Sequence, residues 1–205
     1  MRADGKRPMG PAAYPRMHER SATDTVRQIW LLRHAKSSWD DPSLADVDRP
    51  LSSRGARAAA RMAGHLAGLD TPRLVVCSAG LRARQTLATV LPSLLAPVEI
   101  RIEPELYTFE ADVVIGRLRR LDDDVSSVMV VGHNPALEEL AITLSAASDL
   151  RERLEQKFPT AALTTIEVPD GPWATLAEGA GRISRFVTPS DLAAATPPSS
   201  TAPPR

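Results

Sequence analysis

An arginine and a histidine stand side by side directly after an apolar run. Residues 29–32 are apolar throughout, and Arg33 and His34 follow them. The arginine guanidinium is a permanent, forked cation that matches the oxygens of a phosphoryl group. The histidine imidazole is a nucleophile or a proton carrier near neutral pH. The pair therefore predicts phosphate chemistry at the point where a predicted strand ends.

Two further apolar runs end in the same way. Residues 74–77 lead into Ser78, with Arg82 at the start of a helical stretch, and residues 128–131 lead through Gly132 into His133. Open α/β sheets bind ligands at the carboxyl edge of their strands. If the three strands lie in one parallel sheet, one pocket would hold Arg33, His34, Arg82 and His133.

These motifs, in this order, resemble the histidine phosphatase superfamily, and in particular its SixA-like branch, which is proposed to act on phosphohistidine. The resemblance covers roughly residues 28–192. At one position the sequence departs from the family, because Ala35 stands where the family usually has glycine. Alanine is the smallest alternative, so we expect it to be tolerated. The motifs are Arg33-His34, Ser78 with Arg82-Ala83 and Gln85-Thr86, Gly132-His133-Asn134-Pro135, and the segment 48–55.

Strands and helices alternate along the chain, which predicts a mostly parallel sheet covered on both faces. The resemblance implies a three-layer α/β/α sandwich with one antiparallel strand, the phosphoglycerate mutase-like fold. We expect the phosphatase domain to span residues 26–192, between a disordered extension, 1–25, and a disordered Pro/Ser/Thr-rich tail, 193–205. Besides the strands named above, the pattern predicts strands at 98–102, 162–168 and 182–187, and helices from Ser52 or Ser53 to 69 and at 82–90, 111–121 and 135–144.

Composition narrows the possible partners. The formal net charge is +0, which offers no electrostatic support for binding nucleic acid or an anionic membrane.

The single cysteine, Cys77, excludes an internal disulfide and is expected to be a small buried hydrophobe. No apolar run is long enough to span a bilayer, and missing export signals suggest a cytoplasmic location. Neither an acidic cluster for Mg²⁺ nor a glycine-rich phosphate loop is found, so we expect no metal and no cofactor.

The resemblance also assigns roles. It implies that His34 is transiently phosphorylated, which requires a neutral imidazole, and nearby arginines favour the neutral form. His133 would donate to the phosphoryl oxygens, which Arg33 and Arg82 would also bind. Arg84 competes with Arg82 on the same helix, and only the family pattern selects Arg82. Three further residues are rim or loop candidates: Lys36 and Ser37, which either touch phosphate or have an ordinary loop role, and Arg49.

The general acid and the substrate stay open. Glu105 is the candidate acid by its position after a strand, although a solvated loop acid is an equal interpretation. A phosphohistidine substrate needs little acid, since its leaving nitrogen departs as neutral imidazole, whereas an alkyl phosphate needs one. The partner is therefore either a phosphohistidine-bearing protein or a small phosphorylated metabolite. A non-catalytic phosphate-binding module is a third possibility. The stretch between Ser78 and His133 is compact and has no large lid, which favours a protein that carries phosphohistidine as the substrate.

Overall fold

The computed structural model of the protein describes residues 26–195. The predicted extension 1–25 and residues 196–205 of the predicted tail lie outside the described residues. Within them one sheet contains six strands in the order β3-β2-β4-β1-β5-β6. The strands are β1 (Val26–Arg33), β2 (Leu74–Ser78), β3 (Glu99–Glu103), β4 (Ser127–Gly132), β5 (Leu163–Pro169) and β6 (Arg182–Val187).

Only one of these strands runs against the others. Strand β4 pairs in parallel with β1 and β2, and β2 pairs in parallel with β3. Strand β5 is antiparallel to both of its neighbours, β1 and β6. The carboxyl ends of β1, β2 and β4 therefore meet at one edge of the sheet.

Helices cover both faces of the sheet. Helices α1, α2 and α6 share one face, and α3, α4 and α5 share the other. The predicted three-layer α/β/α sandwich with one antiparallel strand is confirmed. The helices are α1 (Ser53–Leu66), α2 (Leu81–Val90), α3 (Ala111–Leu118), α4 (Ala136–Leu144), α5 (Asp149–Gln156) and α6 (Pro189–Ala195). In the part of the chain that is described, none of them is both long and apolar enough to cross a membrane.

The central strand β1 shows why the sheet is buried on both sides. Ile29 and Leu31 pack into the core beneath α3–α5, whereas Trp30 and Leu32 pack beneath α1 and α2. Successive side chains of a strand point to opposite faces, so a strand with helices on both sides reads as one continuous apolar run. The same explanation holds for β2, whose five residues are all buried, Cys77 included.

Two helices were not predicted. Helix α5 starts at Ser148, whose hydroxyl accepts from the N–H of Arg151, but Leu154 is its only buried residue, so its apolar periodicity is weak. Helix α6 starts with a reciprocal cap, in which Asp191 accepts from the N–H of Thr188 at 2.8 Å and Thr188 accepts from that of Asp191 at 3.3 Å. The helix continues to Ala195, past residue 193, where we expected the tail to begin.

Candidate active site

Three side chains from three elements meet at the carboxyl edge of the sheet. His34 follows β1 and His133 follows β4, and the rings of the two histidines lie 4.9 Å apart, centroid to centroid. The backbone N–H of His34 donates to Gly132, which continues the pairing of the two strands beyond their ends. Helix α2 brings Arg82, whose Nε donates towards His34 Nε2 at 3.4 Å. The structure thus brings together His34, His133 and Arg82, as the strand endings predicted.

The protonation of the His34 ring follows from its neighbours. Its Nδ1 lies 2.8 Å from the carbonyl oxygen of Ala35, which can only accept, so Nδ1 carries the proton. The other nitrogen, Nε2, is then unprotonated when the ring is neutral, and its lone pair accepts the long hydrogen bond from Arg82 Nε. The pKa of His34 is lowered to about 4, mainly by burial and in smaller part by the positive charges of Arg82 and Arg33, while the hydrogen bond to Ala35 opposes the shift. At neutral pH His34 is therefore a neutral imidazole with Nε2 available as a nucleophile.

His133 is held by the serine that ends β2. Ser78 Oγ lies 2.7 Å from His133 Nε2 and accepts from the N–H of Gly80 at 3.3 Å. If the serine donates its own proton to Nε2, the ring proton of His133 is on Nδ1, an atom that is buried and has no hydrogen-bond partner within the described residues. Burial, followed by the charge on His34, lowers the pKa of His133 to about 3. The edges of Tyr107 and Phe109 form a wall beside its ring, at centroid distances of 5.2 and 6.0 Å.

The geometry separates the two arginines of α2. Arg82 is 4% exposed and adjoins His34. Arg84 is exposed on the other side of the same helix. Two residues along a helix are separated by about 200°, so only one of the pair can face the site.

Arg33 lies at the end of β1 and is hydrogen-bonded to the segment between α5 and β5. Its Nη1 donates to the carbonyl oxygen of Phe158 at 2.5 Å. Its Nε is buried and, like His133 Nδ1, has no partner within residues 26–195. Burial lowers the pKa of Arg33, and the carboxylate of Glu138 partly opposes that effect. Unpaired buried donors are rare in native proteins and indicate a place where a ligand oxygen can bind.

Thr86 connects the loop after β1 to helix α2. Its hydroxyl accepts from the backbone N–H of Ala35 at 2.9 Å and donates to the carbonyl of Arg82 at 2.7 Å. The side chain of the preceding residue of the motif, Gln85, accepts from the N–H of Leu51 at 2.7 Å. Ala35 is completely buried, with a negative φ, so alanine is accommodated where the family usually has glycine. The second motif therefore fixes the nucleophile's loop against the helix of Arg82.

The loop after His34 is packed onto the first turn of α1. The carbonyl of Lys36 accepts from the N–H and the hydroxyl of Ser52, the N-cap of α1. Gly55 permits this approach, since a Cβ there would lie 2.1 Å from the Lys36 oxygen. The Lys36 side chain itself is exposed. No hydrogen bond or ion pair connects it to His34, Arg82 or His133.

Arg49 organises the loop rather than the reacting groups. It is 6% exposed and donates to the carbonyl of Ser38, to the carboxylate of Asp46 and to the hydroxyl of Ser37. Its guanidinium lies against the indole of Trp39, with 3.1 Å from Cζ to the ring centroid. The Ser37 hydroxyl thus has a role in the loop as the acceptor of a hydrogen bond from Arg49, and its contact with phosphate stays a prediction.

Glu105 does not join the site. Its carboxylate pairs with Arg120 at 3.1 Å and lies 3.9 Å from Arg117, both near the end of α3. The prediction relied on its position after a strand. Arg117 in α3 and Arg120 just after it attract the carboxylate, which sequence position alone could not reveal.

The carboxylate that does reach the site is Asp46, which the sequence reasoning missed. Asp46 lies in a short 3₁₀ turn, residues 46–48, and pairs with Arg82 at 2.9 Å. A hydrogen bond from the Tyr107 hydroxyl, with further ones from Arg49 and Arg82, lowers the pKa of Asp46 to about 2. The only hint in the sequence is its place three residues before Arg49, because its other partners lie far along the chain. Across residues 26–195, no group of three or more His, Cys, Asp and Glu side chains could hold a metal ion.

Comparisons with known proteins agree with this geometry. A model of the histidine phosphatase superfamily (branch 1) matches residues 29–117. An uncharacterised protein of Mycobacterium tuberculosis is 39% identical over 163 residues, which cover 77% of this chain and 99% of that protein. The structure of a candidate phosphohistidine phosphatase SixA from Nakamurella multipartitia is 28% identical, with a TM-score of 0.70, over 80% of this chain and 96% of that one.

A structure of the protein histidine phosphatase SixA in complex with tungstate is 27% identical to this chain. Its TM-score is 0.65, over 80% of this chain and 99% of that one. Identity of this level over nearly the whole of the other chains, together with the family model, supports a phosphatase activity. The chain belongs to the histidine phosphatase superfamily, in its SixA-like branch.

Proposed function

We propose that this protein hydrolyses phosphohistidine in a protein substrate through a covalent intermediate on His34. One observation carries the proposal: His34 Nε2 is unprotonated and faces the Arg82 guanidinium at 3.4 Å, beside a histidine whose buried Nδ1 has no partner within the described residues. This arrangement places one nucleophile beside several groups that can donate to phosphoryl oxygens. The tungstate complex of a SixA supports it, because tungstate is a tetrahedral oxyanion like phosphate.

The first step moves the phosphoryl group to the enzyme. The lone pair of His34 Nε2 forms a bond to phosphorus, and the P–N bond of the substrate breaks, with its electron pair leaving on the substrate nitrogen. Arg82, Arg33 and His133 donate to the three equatorial oxygens, whose charge they stabilise. The substrate imidazole departs neutral when its other nitrogen carries a proton.

The second step returns His34 to its starting state. A water molecule attacks the phosphorus of the phosphorylated His34, the P–Nε2 bond breaks, and its electron pair returns to Nε2. Both protons of the water leave with the phosphate product or with bulk water. The neutral imidazole, with Nδ1–H still donating to Ala35, is then ready for another cycle.

The lack, among the described residues, of a carboxyl group that could act as general acid favours a P–N bond over an alkyl ester. An alkoxide is a poor leaving group and needs a proton from a general acid. Glu105 is paired with Arg120, and Asp46 is an anion because its pKa is lowered to about 2. Asp46 is therefore not set up to give a proton near neutral pH, and the Glu105 carboxylate is paired away from the histidines, whereas an imidazole leaving group does not require an acid. This asymmetry is the reason for preferring phosphohistidine over a small phosphate ester.

The test is phosphate release by the wild type, His34→Ala and Arg84→Ala on three substrates: a phosphohistidine protein, a panel of sugar and nucleotide phosphates, and p-nitrophenyl phosphate. We expect turnover to be strongest on phosphohistidine, abolished by His34→Ala and kept within about twofold by Arg84→Ala, since surface changes are usually small. Stronger turnover of a small ester would replace the proposed substrate by a metabolite. Turnover that survives His34→Ala would overturn the mechanism.

A parallel reaction with excess EDTA tests the expected independence from metals. We expect an unchanged rate, because the charge on the phosphoryl group is met by arginine and histidine side chains. Inhibition by EDTA that is restored by a divalent cation would bring a metal into the mechanism.

A further inference from the structure

One residue holds both outer nitrogens of Arg82. The Nη1 of Arg82 donates to the backbone carbonyl of Asp46 at 2.6 Å, and Nη2 donates to the Asp46 carboxylate at 2.9 Å. The remaining nitrogen, Nε, is the one directed at His34 Nε2. The guanidinium is planar, so fixing its Nη side also fixes the direction of the Nε–H bond.

Asp46 is itself held in place. Its Oδ1 accepts from Arg49 at 2.8 Å, and its Oδ2 accepts from the hydroxyl of Tyr107 as well as from Arg82. Arg49 is in turn almost fully buried beneath Trp39. The carboxylate therefore has donors on both oxygens from three different parts of the chain, although it lies on an exposed turn.

We propose that Asp46 is a positioning residue, which aims the guanidinium of Arg82 at the phosphoryl group on His34. The proposal rests on the function proposed above. An arginine side chain has several rotatable bonds, and an unheld guanidinium would sample many directions. Catalysis by electrostatic stabilisation depends on donors that are already in place when charge develops, and misplacement by about 1 Å can cost about 100-fold in rate.

The contact between Asp46 and Arg82 can also be interpreted in the opposite way, and the two interpretations predict opposite results. A carboxylate on Arg82 could also compete with phosphate for the guanidinium. Removal of Asp46 would then make phosphate bind more tightly, whereas under the positioning proposal it makes phosphate bind more weakly. Two N–H groups of Arg82, one on each Nη, remain beyond the bonds to Asp46, so the guanidinium can bind an oxyanion without releasing the carboxylate.

The experiment compares Asp46→Ala, Asp46→Asn and Asp48→Ala in the full chain. Asp48 is the matched control, because it is an exposed acid in the same 3₁₀ turn and its removal changes the charge equally. We expect Asp46→Ala to lower kcat on phosphohistidine by about 10- to 100-fold and to weaken inhibition by inorganic phosphate. Asp46→Asn keeps a carbonyl oxygen as acceptor and should recover part of kcat, while Asp48→Ala stays within about twofold of the wild type.

Two results would overturn the proposal. One is tighter binding of inorganic phosphate by Asp46→Ala than by Asp48→Ala, and the other is an unchanged kcat and phosphate affinity in Asp46→Ala. Should the wild type lack turnover that depends on His34, the proposed function fails, and phosphate affinity measured by calorimetry still decides between the two interpretations of Asp46. Equal unfolding midpoints of Asp46→Ala and Asp48→Ala would exclude a merely structural loss.

Discussion

At the scale of single residues, the site works by keeping two histidines neutral. His34 and His133 are both buried among positive charges, and burial is the main cause of both lowered pKa values. A charged imidazole could not attack phosphorus, since its Nε2 lone pair would be occupied by a proton. The low pKa of His34 is therefore a requirement of the proposed chemistry, and it has a consequence for stability.

We expect the protein to lose stability as the pH falls from 6.5 towards 4.5. The unfolded chain binds protons at histidines with a pKa near 6.5, whereas folded His34 and His133 remain neutral until about pH 4 and about pH 3. The unfolded state therefore gains protons first, at up to about 1.4 kcal/mol per pH unit for each histidine. Urea unfolding of the wild type and of His34→Gln at pH 7 and pH 4.5 checks this. An equal loss in both proteins would show that His34 does not contribute.

The residues that could be predicted from the sequence differ from those that could not in how far apart along the chain their contacts lie. Arg33 is the last residue of β1, and His34 and His133 directly follow β1 and β4, so strand positions were enough to predict where they lie. Asp46 meets Arg82 across 36 residues and Tyr107 across 61. No local pattern encodes such a contact, and it was found only in the folded chain.

At the scale of elements, the strands were easier to predict than the helix ends. Strands β1, β2 and β4 are buried on both faces and appear as uninterrupted apolar runs. Helices α1 and α3 end at Leu66 and Leu118, three residues before the predicted ends at 69 and 121. The apolar residues beyond those ends continue the helical spacing, but they lie in the turns that follow the helices. The periodicity therefore overestimated the lengths of α1 and α3.

Helix α1 offers a matched pair of glycines, one in its first turn and one near its C-terminal end. In Gly55→Ala the new Cβ would meet the Lys36 carbonyl at 2.1 Å, whereas around Gly64, in the same helix, nothing lies within 4 Å. We expect Gly64→Ala to stabilise the protein by about 0.5–1 kcal/mol through helix propensity. Gly55→Ala should destabilise it by about 1–3 kcal/mol and lower kcat, because the loop after His34 must move. Urea unfolding and the phosphate-release assay measure both, and two alanine variants of equal stability would contradict the close approach.

At the scale of the whole molecule, two exposed aromatic rings lie against residues in or next to the site. Trp39 is 75% exposed and lies over Arg49, and Phe109 is 50% exposed beside His133. A small metabolite bound at His34 has little use for an indole on the far side of Arg49. A protein that presents a phosphohistidine would cover both rings when it docks, which is consistent with the substrate proposed.

We therefore expect Trp39→Ala to lower kcat/KM on a phosphohistidine protein by about fivefold or more, the effect of an interface aromatic worth about 1 kcal/mol. Turnover of free phosphoramidate should stay within about twofold. Leu95→Ala is the control, because Leu95 is 76% exposed but lies before β3, at the amino edge of the sheet. Equal losses on both substrates would instead mean that Trp39 acts through Arg49.

The hydroxyl of Thr86 makes one backbone amide a reporter of the whole site. The amide proton of Ala35 is buried and donates to Thr86 Oγ1, which in turn donates to the backbone of Arg82. Deuterium can replace that proton only when the loop of the nucleophile separates from the helix of the arginine. The exchange rate of this single amide therefore measures how often the loop after His34 separates from helix α2 in the absence of ligand. Slower exchange with phosphate bound would show that the ligand stabilises the contact between this loop and the helix.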